Sequence, residues 1–513
     1  MRKLLAYLAL AAIYSALCRF ALAFSGLSQG IAVLWPAAGF GFAVCWRYGA
    51  RVLPVLWLGA VAGDLLTGAP SPVTPLLSLA DMLGIFVSVE LCRRLQGPGR
   101  LFATARGALV FSGAAILLGF LASCLGVSLL LTLQDLPPGQ IAVNWWAWLL
   151  SDTAGTLLMG PFFLAWMEAG WPPRLDRRQT LEMAALIAVL SVLAWMVISE
   201  ALHGVAAEYP TPYLLLPVLA WAIFRLDHRA LVTFLFLCVA LAVVGTMLGH
   251  GPFAAHPFPH SLLLLQAYVT IVAATSLVAH AVAAERQETV RTLQLTQDMV
   301  VHTLASMAEA RDHETGAHIL RTSGYVRILA EELKGHIRFR ETLTREYIDL
   351  LAKAAPLHDI GKVGVPDAIL HKPGPLTERE FYEIRKHPTY GCDILREAVR
   401  RMGDAPFIQV TRDLVATHHE RWDGTGYPEG LAEEDIPVAG RLMALADVYD
   451  ALISPRVYKK PMSHEAAREI ILQGRGAQFD PDVVDAFLRN EDRFVRVSQT
   501  FTDHDNLHMT EYF

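Results

Sequence analysis

Charge is scarce in this chain: Asp, Glu, Lys and Arg supply 18% of its 513 residues, and 54% are hydrophobic. A soluble protein of this length is normally about one quarter charged. No long basic tract is present and the net charge is only −6, which argues against duplex nucleic acid as a partner and leaves room for a small anionic ligand. Cysteine is sparse as well. Cys18, Cys45, Cys92, Cys124 and Cys238 lie in apolar runs, Cys392 stands alone, and there is no CxxC pair. That excludes a disulfide framework and a cysteine metal site. No convincing period-two strand occurs in the second half, and no internal repeat is evident in the first. The chain is expected to be all-α, and a transporter built from repeated halves is disfavoured.

What charge there is lies unevenly. Residues 1–284 are a succession of apolar runs, whereas Asp, Glu, Lys, Arg and His crowd into the remainder. Roughly 20 apolar residues cross a bilayer as helix. Candidate spans start near residues 4, 30, 52, 74, 107, 144, 181, 211, 230 and 261, which gives about 8–10 helices once short and Gly- or Pro-interrupted runs are discounted. Arg2 and Lys3, then Arg47 and Arg51, Arg93, Arg94, Arg100 and Arg106, Arg174, Arg177 and Arg178, and Arg225 and Arg229 fall on every second side. By the positive-inside rule both ends of the membrane half, and with them residues 285–513, are cytoplasmic. The first run is long and followed at once by further spans, so it reads as a retained helix rather than a secretory signal.

Ionisable groups within spans are costly unless they face a bundle interior or a wet cavity. Arg19 and Glu90 read as span ends in the headgroup region. Asp64, Asp81 and Asp152 lie among small residues, in GDLL, ADML and SDTAG, and are the candidates for a polar cavity. Beyond the last span, residues 285–305 read as a connecting signalling helix without Pro or Gly. Val290, Leu293, Val300, Leu304 and Met307 form a narrow stripe interrupted at Gln297. It suits either packing on the following domain or a homodimer seam.

From Leu304 to about Leu488 the pattern is helical, with Gly- and Pro-rich loops at 361–376 and 423–438. Imidazoles and carboxylates gather in it. Glu314 and His318 are four apart and share a helix face; His358-Asp359 stand ahead of Gly361; His387 precedes Pro388; His418-His419 follow LVAT; Asp447 lies in the apolar stripe LMALADVYDAL. A capping Glu, a surface His or a helix-start His explains each of these alone. Together they point to a multinuclear metal hydrolase whose ligands come from facing helices, and the Lys and Arg among them suggest a phosphate-bearing substrate.

The segments LWPAAGFGFAV and NWWAWLLSDTAGTLLMGPFF resemble the MASE-type membrane sensor domains found ahead of bacterial cyclic-dinucleotide enzymes. The motifs HDIGK, HKPGPLTEREFYEIRKHPTYGCDIL, HHERWDGTGYP, ADVYDAL and PRVYKK, in order across residues 311–487, resemble the HD-GYP family of cyclic di-GMP phosphodiesterases. The resemblance implies a polytopic membrane helix bundle at 1–284 that senses a signal ligand, the connecting helix at 285–305, a soluble all-helical HD-type metallohydrolase at 306–490 and a tail at 491–513. It implies metal ligation by Glu314, His318, His358, Asp359, His387, His418, His419 and Asp447. Glu314, an acidic residue four before His318, leans the count from two divalent ions to three, and N and O ligands suit iron or manganese. Asp359 would bridge two ions that activate water and clamp a phosphodiester. Lys362, Arg456 and Lys459 would bind phosphate, Tyr427 of the Gly426-Tyr427-Pro428 loop would meet phosphate or base, and Asp450 would steady a ligand from behind. Val457 departs from the proline frequent in relatives.

The implied function is hydrolysis of cyclic di-GMP to linear pGpG, and onward to GMP, by a homodimer in the bacterial inner membrane. The alternative is a non-catalytic nucleotide or protein receptor on the same domain.

Overall fold

The computed structural model describes residues 2–25, 32–66, 73–97, 101–133, 137–168, 177–198, 215–250, 252–254, 260–311, 316–403, 405–454 and 461–501. Glu314, Arg456, Val457, Lys459, the side chain of Asp64 and the end of the tail lie outside the described residues. The chain is all-α: among the described residues there is no strand, only an isolated bridge between Arg475 and Phe479. It divides into two compact units, 1–290 and 291–513.

The first unit is built from α1 (Arg2–Ser25), α2 (Pro36–Tyr48), α3 (Leu53–Leu65), α4 (Thr74–Gln96), α5 (Ala105–Leu133), α6 (Ile141–Glu168), α7 (Arg177–Ile198), α8 (Leu215–Arg225), α9 (His228–Met247) and the start of α10 (His260–Glu309). These ten helices begin within a few residues of the ten expected spans. Six of them, α1, α4, α5, α7, α9 and α10, are long and apolar enough to cross a membrane by length and composition. At 13, 13 and 11 residues, α2, α3 and α8 are too short to span alone.

Small residues let the helices meet closely. Ala37, Ala38 and Gly39 of α2 are buried, and a Cβ on Gly39 would strike the α6 backbone at Gly155 and Gly160. The non-helical residues before α2 are held by side chains and backbone from elsewhere: Gln266 of α10 donates to the carbonyls of Ala32 and Val33, and the Trp35 N–H donates to Ser151 O. Asp81 and Asp152 are both buried and close enough to interact. Glu90 is at the surface with Arg94, 2.9 Å away.

α10 is continuous for 50 residues, and Val290, Leu293, Val300, Leu304 and Met307 on it are exposed. The second unit adds α11 (Gly316–Leu333), α12 (Arg345–Ala354), α13 (Asp367–Leu370), α14 (Glu378–Ile384), α15 (His387–Met402), α16 (Pro406–Thr417), α17 (Val438–Ile453), α18 (His464–Gln473), α19 (Pro481–Arg489) and α20 (Glu491–Thr500). α11, α12, α16 and α17 pack around one core. Tyr325, Tyr449, Phe487 and Phe494 form its aromatic end, with Tyr325 and Phe494 stacked at 4.5 Å. Behind it Asp480, fully buried, receives Arg441 at 2.9 Å and Arg338 at 3.3 Å, which supplies the pairing that a buried carboxylate requires.

Candidate metal centre

Helix ends deliver the histidines. α12 stops at Ala354, one 3₁₀ turn follows over Ala355–Leu357, and His358 comes next; α16 ends at Thr417 directly before His418; α15 begins at His387, where Pro388 fits the first turn. In each case the ring Nδ1 lies on the carbonyl three residues earlier: His358 on Ala355 at 3.0 Å, His387 on Ile384 at 2.8 Å and His418 on Val415 at 3.0 Å. A carbonyl only accepts, so each Nδ1 carries the proton and each Nε2 presents a lone pair. His318 of α11 does the same through a carboxylate, its Nδ1 lying 2.8 Å from Asp450 Oδ2. Four imidazoles are thus locked in one tautomer.

The Nε2 atoms converge in two groups. Asp359, His387, His418 and His419 form one set able to hold a metal ion, and His318, His358 and Asp447 form another. Asp359 faces both: Oδ1 lies 3.1 Å from His387 Nε2 and 3.6 Å from His418 Nε2, while Oδ2 lies 3.1 Å from His358 Nε2. The residue has φ −101° and ψ 12°, in the bridge region where active-site residues are often found. Gly361 makes the approach possible, because a Cβ there would run into the His387 carbonyl and Gly391 N. On the other side, His318 and His358 stand 3.7 and 3.9 Å from Asp447 Oδ1.

The donor set fits cations. His387 Nε2 and His418 Nε2 are 3.3 Å apart and both hold lone pairs, with a carboxylate oxygen beside them. Such an arrangement is repulsive unless a positive charge sits among the atoms. Burial pulls His419 far below the ordinary imidazole range and His418 down as well, which keeps them neutral ligands. Burial pulls on His358 too, but Asp359 and then Asp447 outweigh it and lift that imidazole to about 9, so without a cation its Nε2 takes a proton that a bound ion would displace. The carboxylates draw positive charge to this point. Asp359 itself is held well below its usual range against the cost of burial, by Lys362 and His358.

Lys362 Nζ sits 2.7 Å from Asp359 Oδ2, at the edge of both groups. Tyr427 lies flat on His419, ring centroids 4.7 Å apart and planes 28° apart; burial, and then Asp359, raises its phenol, so it stays a neutral donor. Its loop is tied down by Glu420, whose carboxylate accepts from the N–H groups of Glu429, Gly430 and Leu431 at 2.8, 3.1 and 3.1 Å. Gly426 is needed because a Cβ would meet the backbone of Glu420 and Arg421.

The apolar stripe around Asp447 predicts that this carboxylate is buried; the structure differs there and adds two contacts. The fully buried carboxylate of α17 is Asp450, 1% exposed, and Asp447 is only half-buried, because α17 turns Asp447 towards the metal site and Asp450 into the core. Asp450 lies against His318 Nδ1 and is itself gripped bidentately by Arg321 at 2.7 and 2.9 Å, a cation that the sequence reading did not single out. Among the described residues a further buried carboxylate, Glu309 of α10, has Oε1 3.9 Å from His318 Nε2; Glu314 lies outside the described residues, so Glu309 adds to that expectation and does not displace it. Arg321, Glu420 and Glu309 were missed. RDHETGAHILRTSGYV and HHERWDGTGYP contain the first two, but only the long-range pairing singles them out.

Comparison with known proteins agrees with this division. A family model described as MASE1 matches residues 6–287, and one described as HD domain matches residues 302–483. A cyclic di-GMP phosphodiesterase of Vibrio cholerae is 52% identical over 211 residues, 41% of this chain and 43% of that protein. A probable cyclic di-GMP phosphodiesterase of the same organism is 54% identical over 215 residues, 42% and 49% of the two chains. The 3'3'-cGAMP-specific phosphodiesterase 2 of V. cholerae is 42% identical over 211 residues, 41% and 38%. The chain spans less than half the length of each of these relatives. The MASE1 match covers more than half of the chain, and the protein belongs to the MASE1 family as a member that carries an HD domain with the Gly426-Tyr427-Pro428 motif behind it.

Proposed function

We propose that the protein is a membrane-anchored, metal-dependent phosphodiesterase that opens cyclic di-GMP to linear pGpG and carries it on to GMP under control of a signal at its membrane half. The single observation that supports this most is Asp359, each of whose oxygens faces a separate group of tautomer-locked histidines. We take the ligands to be His318, His358, Asp359, His387, His418, His419 and Asp447, with Glu314 for a third ion, and iron or manganese as the metals that suit this N and O set.

Bound there, divalent ions would supply Lewis acidity and an activated water. The chain's own residues do the rest. Asp450 and Arg321 fix the His318 ring, and the carbonyls of Ala355, Ile384 and Val415 fix the other three, so little reorganisation is needed when the charge changes. Lys362 lies where it can pass from Asp359 to a non-bridging phosphate oxygen. Tyr427 shields His419 and offers a neutral hydroxyl, and Arg456 with Lys459 would take the second phosphate. A binding-only receptor would have no use for ring orientation of this kind.

The domain limits we assign are 1–284, 285–305 and 306–500, because α20 carries Phe494 into the second core and the tail expected from 491 begins only after that helix, with the catalytic half in the cytoplasm beneath the inner membrane. The exposed stripe from Val290 to Met307 is where a second copy would close a seam. The test is hydrolysis of cyclic di-GMP by the full chain in membranes with Fe(II) or Mn(II), beside Asp359→Ala. Turnover lost in the variant supports the reading; no turnover with either metal, or equal turnover in both proteins, refutes it.

A further inference from the structure

Arg385, two residues before His387, stands at the outer edge of the metal centre with no carboxylate or carbonyl on its side chain among the described residues. Its guanidinium carbon lies 4.5 Å over the Phe381 ring and 4.9 Å from the Tyr427 ring. Tyr427 in turn lies on His419. The series His419, Tyr427, Arg385, Phe381 therefore leads outward from a metal-side imidazole, ring upon guanidinium upon ring.

Neighbouring acids are already engaged. Glu383 takes Lys386 at 2.7 Å and the Tyr390 hydroxyl at 2.5 Å, and Glu380 takes Lys372 at 2.6 Å and the Thr377 N–H at 2.7 Å. A guanidinium held over aromatic rings keeps its N–H donors free for a planar acceptor. Beside those donors Phe381 is 48% exposed and Tyr382 66%. Uncovered ring surface next to an open planar fork of donors suits a flat ligand with two acceptors on one side.

Building on the phosphodiesterase reading above, we infer that Arg385 and Phe381 form a subsite for a guanine base of the cyclic dinucleotide. The phosphate lies at the metal centre beside Lys362; the base reaches two spacings out along the series, stacks on the uncovered part of Phe381, and accepts from Arg385 through O6 and N7. Guanine offers two acceptors on that edge. Adenine offers one acceptor and an amino donor, which opposes the guanidinium N–H. Arg385 is thus a specificity-determining residue, and it acts on the base rather than on the reacting phosphate.

The experiment measures kcat/KM of the full chain in membranes for cyclic di-GMP, for cyclic di-AMP and for bis(p-nitrophenyl) phosphate, which has no base. The native protein prefers cyclic di-GMP to cyclic di-AMP. Arg385→Ala lowers that preference by roughly ten- to hundredfold and lowers cyclic di-GMP turnover relative to bis(p-nitrophenyl) phosphate by a similar factor. Arg385→Lys keeps the charge without the fork and does not restore the preference. An unaltered ratio of the two dinucleotides in Arg385→Ala overturns the subsite and leaves the phosphodiesterase reading standing. Hydrolysis of bis(p-nitrophenyl) phosphate with no turnover of either dinucleotide overturns both.

Discussion

Large apolar side chains are exposed in both units of the molecule, and they mean different things. In residues 1–290 Leu4, Trp195, Phe224 and Ile271 are exposed on helices that are apolar nearly all round. A helix of that kind is solvated by lipid. In residues 291–513 exposed apolar residues are fewer: some form the stripe Leu293, Val300, Leu304 and Met307 on α10, and others lie against charge, Phe381 under Arg385 and Tyr382 under Lys386. Polar residues are reversed as well. The first unit keeps Asp81 and Asp152 inside, whereas the second uses its buried polar groups to fix the orientation of histidines. Solvent decides what an exposed side chain signifies, and pairing decides what a buried one does.

The sharpest test of that contrast is at Asp359. Asp359→Ala removes the carboxylate shared by both histidine groups, and phosphodiester hydrolysis is expected to fall on the order of 10³-fold or more, since each ion contributes several kcal/mol of charge stabilisation. Metal analysis of the same protein should show bound metal falling in step with activity. Activity that survives would mean that the two groups are not one centre.

Core packing comes next. Leu445 on α17 is fully buried, and Leu445→Ala should cost about 2–5 kcal/mol, read as a lower thermal midpoint for loss of metal-dependent activity of the full chain in lipid. Ile271 is 65% exposed. If lipid covers it, Ile271→Ala should stay within about 0.5 kcal/mol. A loss as large as that at Leu445 would place Ile271 against protein and break the comparison.

Asp450→Asn tests whether orientation matters as much as ligation. The variant keeps an acceptor for His318 Nδ1 but gives up the charge that binds Arg321. Residues placed behind a metal ligand are typically worth 10- to 100-fold in affinity, so a chelator competition should show weaker metal retention with an unchanged ligand set. Equal retention would make Asp450 a partner of Arg321 alone.

Much of this was legible in the sequence. The ten helix starts lie near those expected from the apolar runs and their Gly and Pro interruptions, while the side of the membrane rests on the loop charges alone. His358-Asp359 and His418-His419 announced the centre because each pair lies at a helix end marked by the local pattern. Other features depend on contacts that no local pattern encodes. Arg321 meets Asp450 across 129 residues, and which of Asp447 and Asp450 turns inward depends on the angle of α17 within the bundle. The Nδ1 contacts are an intermediate case: a carbonyl three residues back is a local device, visible once the backbone turn is known.

The smallest expected effect concerns the third ion. Glu314 is the residue that the His318 spacing suggests, whereas Glu309 is the buried carboxylate that reaches within 3.9 Å of His318 Nε2. The two make different predictions. If Glu314 holds the ion, Glu314→Ala lowers bound metal from about three per chain to about two, the pair that suffices for in-line displacement, and Glu309→Gln leaves the count at three. If Glu309 holds it, the outcomes exchange. Two ions in the native protein and in both variants would remove the third site altogether, and His318 would then serve only the group it shares with His358 and Asp447.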